Sequence, residues 1–461
     1  MHVIDSINNI FWGYFLIAAL LGCALWFTIR TKGVQFRMVK EMLHLVVESN
    51  GGKEEGRHIS SFQAFMVSLA GRVGTGNLAG VAGAIAIGGP GAVFWMWMTA
   101  LLGAATSFIE CTLAQLFKVR GNDSFMGGPA YYIEKGLGKK WLGVLVSVLL
   151  IISFGLSNNS VQSNTICAAM QEAFGVKPYV MGIILSVLTA AIIFGGIQRI
   201  AKASSMIVPF MALIYIVVAL VVVACNIKML PSAIGLIFKS AFGWKQAAGG
   251  FCGAAIMQGI KRGLFSNEAG EGSSPNVAST ANVSHPVKQG LVQSLGVFTD
   301  TLVICSCTAF IILCSGVDIY GGLDGVNLTQ AAISATLGPA GKVLVAVVLF
   351  FFVFSTILGN YYYGEANVRY ITSSRTALNV FRICTVAMVM FGSLCALSTA
   401  WALIDICMAL LTTFNLVTLM FLYKWAVRLL EDYCRQKKEG RDPVFHKSQL
   451  KEISDRIGCW D

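Results

Sequence analysis

The sequence predicts an all-α polytopic membrane protein with about eleven transmembrane helices: one extra N-terminal helix, then two five-helix repeats of opposite topology. Three observations carry this expectation. The chain of 461 residues is 56% hydrophobic and only 12% charged, with a mean hydropathy of +0.71; soluble domains are roughly 45–50% apolar and about 25% charged. The apolar residues gather in windows long enough to cross a bilayer, which takes about 20 residues as a helix. Two of those windows, five apart, are broken by glycines and polar side chains.

In order, the apolar windows are residues 10–29, 61–88, 91–117, 141–174, 178–197, 203–224, 246–270, 288–315, 341–363, 377–396 and 399–424. The first has no basic stretch before it and no A-x-A after it, so it reads as a retained helix rather than a signal peptide. The following VQFRMVKEMLHLVV, residues 34–47, places basic and apolar residues at helical spacing and is expected to lie along the cytoplasmic surface. Arg30, Lys32, Arg37 and Lys40 follow the first window, Lys118 and Arg120 the third, Arg199 and Lys202 the fifth, Arg369 and Arg375 the ninth, and Lys424 and Arg428 the last. With alternating helices these all fall on one side. The positive-inside rule then puts the N-terminus outside and the C-terminus in the cytoplasm of a plasma-membrane protein; Lys228, Lys239 and Lys245 fall outside and dissent.

The same placement disposes of nucleic acid as a partner, because the net charge of +11 is spent in short loops between spans. The thirteen cysteines are scattered through apolar windows without a CxxC pair or metal-ligand spacing, and read as packing residues. The divisions expected are 1–60 (N-terminal helix and amphipathic segment), 61–225 (first repeat), 246–425 (second, inverted repeat) and 426–461 (polar cytoplasmic tail, a solvated end).

The first broken window carries LAGRVGTGN at residues 69–77. Unpaired backbone groups in hydrocarbon cost several kcal/mol each, so a broken helix is tolerated only where it faces protein or a cavity. Gly71, Gly74 and Gly76 lower the cost of leaving helical geometry. A break there exposes N–H groups at the start of one half-helix and carbonyls at the end of the other, seats for an anion and a cation. Close helix packing through small residues explains an isolated glycine cluster equally well. The second break, within GAAIMQGIKRGLFSNEAGEGSSPN at residues 253–276, tips the balance. Five is odd, so repeats five helices apart insert with opposite topology, and paired broken helices in corresponding positions point to a transporter site. GRVGTGN lacks the GK[ST] of a phosphate-binding loop, no window holds HExxH or GxSxG, and no TVGYG filter repeat occurs. An enzyme and a channel are therefore both disfavoured.

GGPGAVFWMWMTALLG (88–103), GTGN (74–77), KRGLFSNEAGEGSSP (261–275) and STILGNYYYGE (355–365) together resemble the sodium:alanine/glycine symporter family, over essentially the whole chain. The resemblance implies the leucine-transporter fold and sodium-coupled import of small neutral amino acids such as alanine and glycine by alternating access. A proton-coupled transporter is the alternative, as is a sodium-coupled carrier of a larger neutral amino acid such as glutamine or serine. It implies that the amides of Thr75 and Gly76 bind the substrate carboxylate with Asn77 beside them. It also implies that carbonyls of Ala70 and Val73 meet the hydroxyls of Ser355 and Thr356 around sodium. By itself a Ser-Thr pair in a membrane helix is more often bonded back to its own helix.

Other polar residues are placed with less help from the resemblance. Asp300, deep in the eighth window, either neutralises a sodium ion near Asn77 or pairs with Arg72. Gln162 bonds either substrate or its own helix, and Met257 and Gln258 are expected to flank the second break and line the pocket. Glu268 and Glu271 are read as cytoplasmic gate or cap residues rather than ligands, and Lys261 and Arg262 as marking the inner vestibule. Where several family members carry tryptophan this chain has Asn360, which either enlarges the pocket floor or caps a helix end. The protein is expected to function as a monomer.

Overall fold

The computed structural model describes residues 15–51, 59–121, 124–242, 251–323, 325–395 and 397–460. Residues 10–14 of the first window and 246–250 of the seventh, with Lys245, lie outside the described residues. The described residues are mostly helical. The only strands among the described residues are β1 (Val119–Arg120) and β2 (Phe125–Met126), a two-stranded antiparallel ribbon.

Helix α1 (Leu16–Arg30) leads to the surface helix α2 (Val39–Gly51). The first broken helix follows: α3 (Ser61–Arg72), a π-helical turn (Gly76–Gly80) and α4 (Val81–Gly88). Next come α5 (Gly91–Leu116), α6 (Lys140–Phe174), α7 (Pro178–Ile193), α8 (Gly196–Cys225) and the short α9 (Leu230–Phe242). The second broken helix is α10 (Phe251–Asn267) and α11 (Ser274–Ala278). It is followed by α12 (Pro286–Cys314), α13 (Gly325–Leu337), α14 (Ala340–Ile371), α15 (Arg375–Leu394) and α16 (Leu397–Lys438). Among the described residues seven helices are long and apolar enough to cross a membrane: α5, α6, α8, α12, α14, α15 and the 404–438 part of α16. The other apolar windows fall on α1, α7 and the two broken helices.

Two groups of helices form the body. In one, α5 packs along both α10 and α12; in the other, α6 packs on α14 and α15, and α15 on α7. Small residues let the first group close up: a Cβ on Gly259 would lie 2.6 Å from Trp95 Cβ, and one on Gly263 would lie 3.3 Å from Met96 Cα. Helix α3 touches the first group through α12 and the second through α14, so its break lies between them. Its start is fixed by a capping box, in which the Ser60 hydroxyl accepts from the Gln63 amide and the Gln63 side chain accepts from the Ser60 amide. The amide of Asn282 donates to Ile59 O at 3.0 Å, joining the starts of the first broken helix and the segment after α11 at one end of the molecule. This end also carries the basic residues after α1, α5, α14 and α16.

Helix α2 does not simply lie on a lipid surface. Met42 and Leu45 are buried, α2 packs against α12 and α3, and Leu43 and Val47 face outward. The tail is not a solvated end either. Phe445, Leu450, Ile453, Ile457 and Trp460 punctuate its charged residues and all are buried. The amide of Phe445 donates to Ser284 O at 2.9 Å, and the Trp460 indole N–H donates to Gln115 O at 3.0 Å. Lys118 Nζ lies between the rings of Phe125 (4.1 Å) and Trp460 (4.5 Å).

Candidate functional site

At the first break, α3 ends at Arg72 and Val73 turns to extended backbone (φ −82°, ψ 90°). Thr75 and the π-helical turn resume the helix in a slightly displaced register. None of Gly71, Gly74 or Gly76 adopts a positive φ. What they supply is room: a Cβ on Gly74 would strike the Thr356 hydroxyl and lie 2.9 Å from Gln162 Oε1, and one on Gly76 would lie 3.2 Å from Ser266 Cα.

The carbonyls released by the break point at α14. The Thr356 hydroxyl lies 2.8 Å from Ala70 O, 3.1 Å from Val73 O and 2.8 Å from Phe352 O. Ser355 turns away, donating to Phe352 O at 2.9 Å with Met211 Sδ at 3.6 Å. On the amide side, Thr75 N–H donates to Gln162 Oε1 at 3.1 Å, and Gln162 Nε2 donates to Asn158 Oδ1 at 2.9 Å. The Gly74 amide donates to Asn77 Oδ1 at 2.8 Å. Thr75 Oγ1 is buried without a partner, as are both side-chain polar atoms of Asn360, one helical turn beyond Thr356.

Asp300 sits beside this break, fully buried. Its carboxylate accepts from Asn77 Nδ2 at 2.6 Å, Ser266 Oγ at 2.8 Å and Thr301 Oγ1 at 2.8 Å. All three donors are neutral. Arg72 is not its partner: the guanidinium donates to Gln293 O, Ser107 Oγ and Ser274 Oγ at 3.1, 3.3 and 2.7 Å, tying α3 to α12, α5 and α11. The ion-pair reading of Asp300 and Arg72 is thereby removed.

The second break is a full unwinding. Glu268, Gly270 and Gly272 all have positive φ (56°, 95° and 80°). Its backbone is served by fixed side chains: Glu110 accepts from Gly270 N at 3.2 Å, and Asn415 bridges Glu110 and Gly270 O, both at 2.9 Å. Tyr132 donates to Asn415 in turn. Glu268 does not stand at a water-facing gate; it is buried and accepts from Ser273 at 2.6 Å and Ser274 at 3.4 Å. Glu271 is also buried, with Oε1 unpartnered.

Four expected positions differ. Gln258 packs against Gly88, with Cβ 3.1 Å from a Cβ built there, at the far end of α4. Gln258 and Met257 precede Glu268 by ten and eleven residues, about 15 Å along a helix, so they do not flank the break. Lys261 and Arg262 lie on the other side of the break from the Ile59 and Ala281 end, so they do not mark the inner vestibule. Lys261 Nζ meets Asp405 Oδ2 at 2.6 Å, Arg262 Nη1 meets Asp405 Oδ1 at 3.5 Å, and Arg262 stacks 4.1 Å from the centre of the Trp401 ring. Phe265 packs 4.7 Å from the same ring. Phe265, Ser266, Thr301, Trp401 and Asp405 were not singled out from sequence. Ser266 had a signal, a hydroxyl in the polar run SNEAGEG; Trp401 had none.

The model for the sodium:alanine symporter family matches residues 1–447. A Bacillus subtilis protein named probable sodium/glutamine symporter GlnT is 49% identical, over 100% of this chain and 96% of its own length. The Bacillus subtilis amino-acid carrier protein AlsT is 51% identical, over 97% of this chain and 95% of its own. Among solved structures, that of MhsT in complex with L-phenylalanine aligns with a TM-score of 0.58 at 12% identity, over 88% of this chain and 93% of MhsT. The fold is the leucine-transporter fold, and the chain belongs to the sodium:alanine symporter family.

Proposed function

We propose that this chain is a sodium-coupled symporter that imports small neutral amino acids across the plasma membrane by alternating access. It acts as a monomer, with its basic end in the cytoplasm and its N-terminus outside. Residues 61–225 and 246–425 form the two inverted repeats, and the first break is the binding site. One observation carries the reading. The Thr356 hydroxyl has a single proton but three carbonyl oxygens, of Ala70, Val73 and Phe352, within 2.8–3.1 Å. Only one of them can take the proton. The other two face an oxygen with nothing positive between, and a sodium ion supplies what is lacking: with Thr356 donating to Phe352 O, its lone pairs join the Ala70 and Val73 carbonyls around the cation.

The substrate carboxylate takes the Thr75 amide that Gln162 holds, since a charged acceptor bonds an N–H about twice as strongly as a neutral one. Gly76 contributes its amide beside it. Asp300, held by neutral donors only, supplies negative charge for a sodium ion next to Asn77; a buried carboxylate without a compensating charge is costly.

Asn360 favours a second reading of the substrate. Its buried donor and acceptor both lack a protein partner, which suits a side chain carrying an amide or hydroxyl, such as glutamine or serine, and a relative is named a probable glutamine symporter. The test is uptake of labelled alanine, glycine and glutamine into proteoliposomes under an inward sodium gradient. Sodium-dependent uptake with inward positive current is expected. Equal uptake when potassium replaces sodium on both sides refutes coupling, and glutamine failing to compete with alanine refutes the second reading.

A further inference from the structure

At the basic end, the close of α1, the turn after it and the last turns of α16 enclose a cavity of about 420 Å³. Arg30, Lys32, Arg37, Arg435 and Lys438 line it. The cavity lies outside both helix groups, and none of its lining residues belongs to either break. Four of the five cations, Arg30, Lys32, Arg37 and Lys438, form no ion pair among the described residues, whereas Arg435 is paired with Asp432. Two carboxylates share the lining; Glu439 is paired with Arg441, which leaves Glu431 against four cations. Lys32 is held in the left-handed backbone region (φ 57°), unusual for a residue with a long side chain.

Beside the cavity, just beyond its lining, α1 and α16 carry apolar, outward-facing residues. Ile29 is 61% exposed and Phe421 68% exposed. Trp26 meets Tyr423 edge-on at 6.2 Å, and the Arg30 guanidinium lies 5.8 Å from the centre of each ring. Aromatic rings at a helix end with cations beyond them mark the level where hydrocarbon meets the polar headgroup region. A ligand here has a compact anionic part among the cations and hydrocarbon lying against α1 and α16.

We propose that this cavity binds the phosphate headgroup of an anionic phospholipid, whose acyl chains run along α1 and α16. Basic pockets between transmembrane helices on the cytoplasmic side are suited to such headgroups. Because the cavity is shared between α1 and α16, the lipid would bridge the extra N-terminal helix to the last helix of the body. The phosphate alone could also come from a soluble anion, and the measurement separates the two sources.

The full chain, purified in mild detergent, is titrated with phosphatidylglycerol or with phosphatidylcholine and bound lipid is counted by native mass spectrometry. Wild type should retain phosphatidylglycerol in preference to phosphatidylcholine. The Lys32→Ala, Arg37→Ala, Lys438→Ala triple variant should lose that preference, with affinity for the anionic lipid falling on the order of tenfold or more, the scale expected for removing cations from an anionic surface. All three side chains are exposed, and an unchanged melting temperature in lipid-free detergent checks that the variant folds. Equal phosphatidylglycerol binding by the two proteins, or no preference over phosphatidylcholine in wild type, overturns the proposal. So does displacement of the lipid by millimolar glycerol phosphate, which would assign the cavity to a soluble anion.

Discussion

The two broken helices occupy corresponding places in the sequence, yet they are broken by different means. At the first, no residue from Val73 to Gly80 has a positive φ, and the interruption is one extended residue followed by a π-helical turn. At the second, three residues out of five are left-handed. The partners differ as well. The second break is served by Glu110, Asn415 and its own Glu268, side chains locked into further bonds. The first is served by groups with one proton shared among several acceptors, or by a glutamine that a stronger acceptor can displace. A break that keeps backbone-facing polar capacity in reserve can take up and release a ligand, whereas one whose Gly270 backbone is already bonded by fixed side chains is suited to a fixed bend. Similar interruptions in sequence therefore fold by different means.

The largest expected effect separates the two kinds of glycine. Gly272→Ala puts a side chain at φ 80°, with its Cβ 2.6 Å from Pro129 Cγ. Left-handed backbone costs a residue with Cβ about 1–2 kcal/mol, and the clash adds about 1–3 kcal/mol. Melting temperature and folded yield should both fall sharply. Gly74→Ala keeps an allowed backbone and sets its Cβ against side chains rather than backbone, the Thr356 hydroxyl, Thr356 Cβ at 3.1 Å and Gln162 Oε1 at 2.9 Å, so it should cost less stability than Gly272→Ala, with its sodium affinity reduced about tenfold or more, some 1.4 kcal/mol. Thermal unfolding and sodium-dependent uptake of both variants check this; a Gly74→Ala protein that unfolds while Gly272→Ala survives would reverse the roles of the two breaks.

A smaller effect sharpens the first break alone. Thr356 touches both released carbonyls and Ser355 touches neither. Thr356→Ala should raise the sodium concentration for half-maximal uptake about tenfold, and Ser355→Ala by about twofold or less. Equal effects would mean that Ser355 rotates into the site when sodium binds.

Asp300 and Arg72 test whether the breaks are independent. Arg72 is tied to Ser274, just after the second break, and Asp300 to Asn77 at the first. Arg72→Gln should therefore reduce folded yield and Asp300→Asn should reduce transport. Their coupling energy in a double-mutant cycle on stability should stay below about 0.5 kcal/mol, as for residues without a shared contact. A larger stabilising coupling would restore the ion-pair reading.

Much of this was legible in the sequence because hydrophobicity and periodicity report burial directly. The apolar windows found their helices, and of the two hydroxyls the resemblance sets against the Ala70 and Val73 carbonyls, Thr356 lies there and Ser355 does not. Gln258 was misplaced because glycines in an apolar run have two uses that look alike: Gly259 and Gly263, four apart, let α10 approach α5, and only Gly270 and Gly272 break the helix. The tail misled because its polar composition hid the spacing of Phe445, Leu450, Ile453, Ile457 and Trp460, whose burial depends on surfaces made by distant segments. Asp405 and Trp401, likewise, become partners of Arg262 only once α16 folds against α10.

The last prediction concerns Asn360, where the reserve of polar capacity at the first break is most exposed to test. It cannot be capping a helix end, since α14 runs on to Ile371. Buried, with both amide atoms unpartnered, it carries a desolvation cost of about 1–3 kcal/mol per group. Asn360→Leu keeps the branching at Cγ, adds some volume and removes both polar groups, so the substrate-free protein should gain stability, by about 1 kcal/mol after imperfect packing. If Asn360 reads the substrate side chain, competition by glutamine and serine against labelled alanine should weaken by about threefold to tenfold, with alanine uptake itself little changed. Stability gained together with polar substrates lost would mark Asn360 as a residue kept for selectivity against its effect on the fold. If Asn360→Leu lowers the melting temperature and leaves competition as it was, the side chain is bonded within the protein and the pocket floor is set elsewhere.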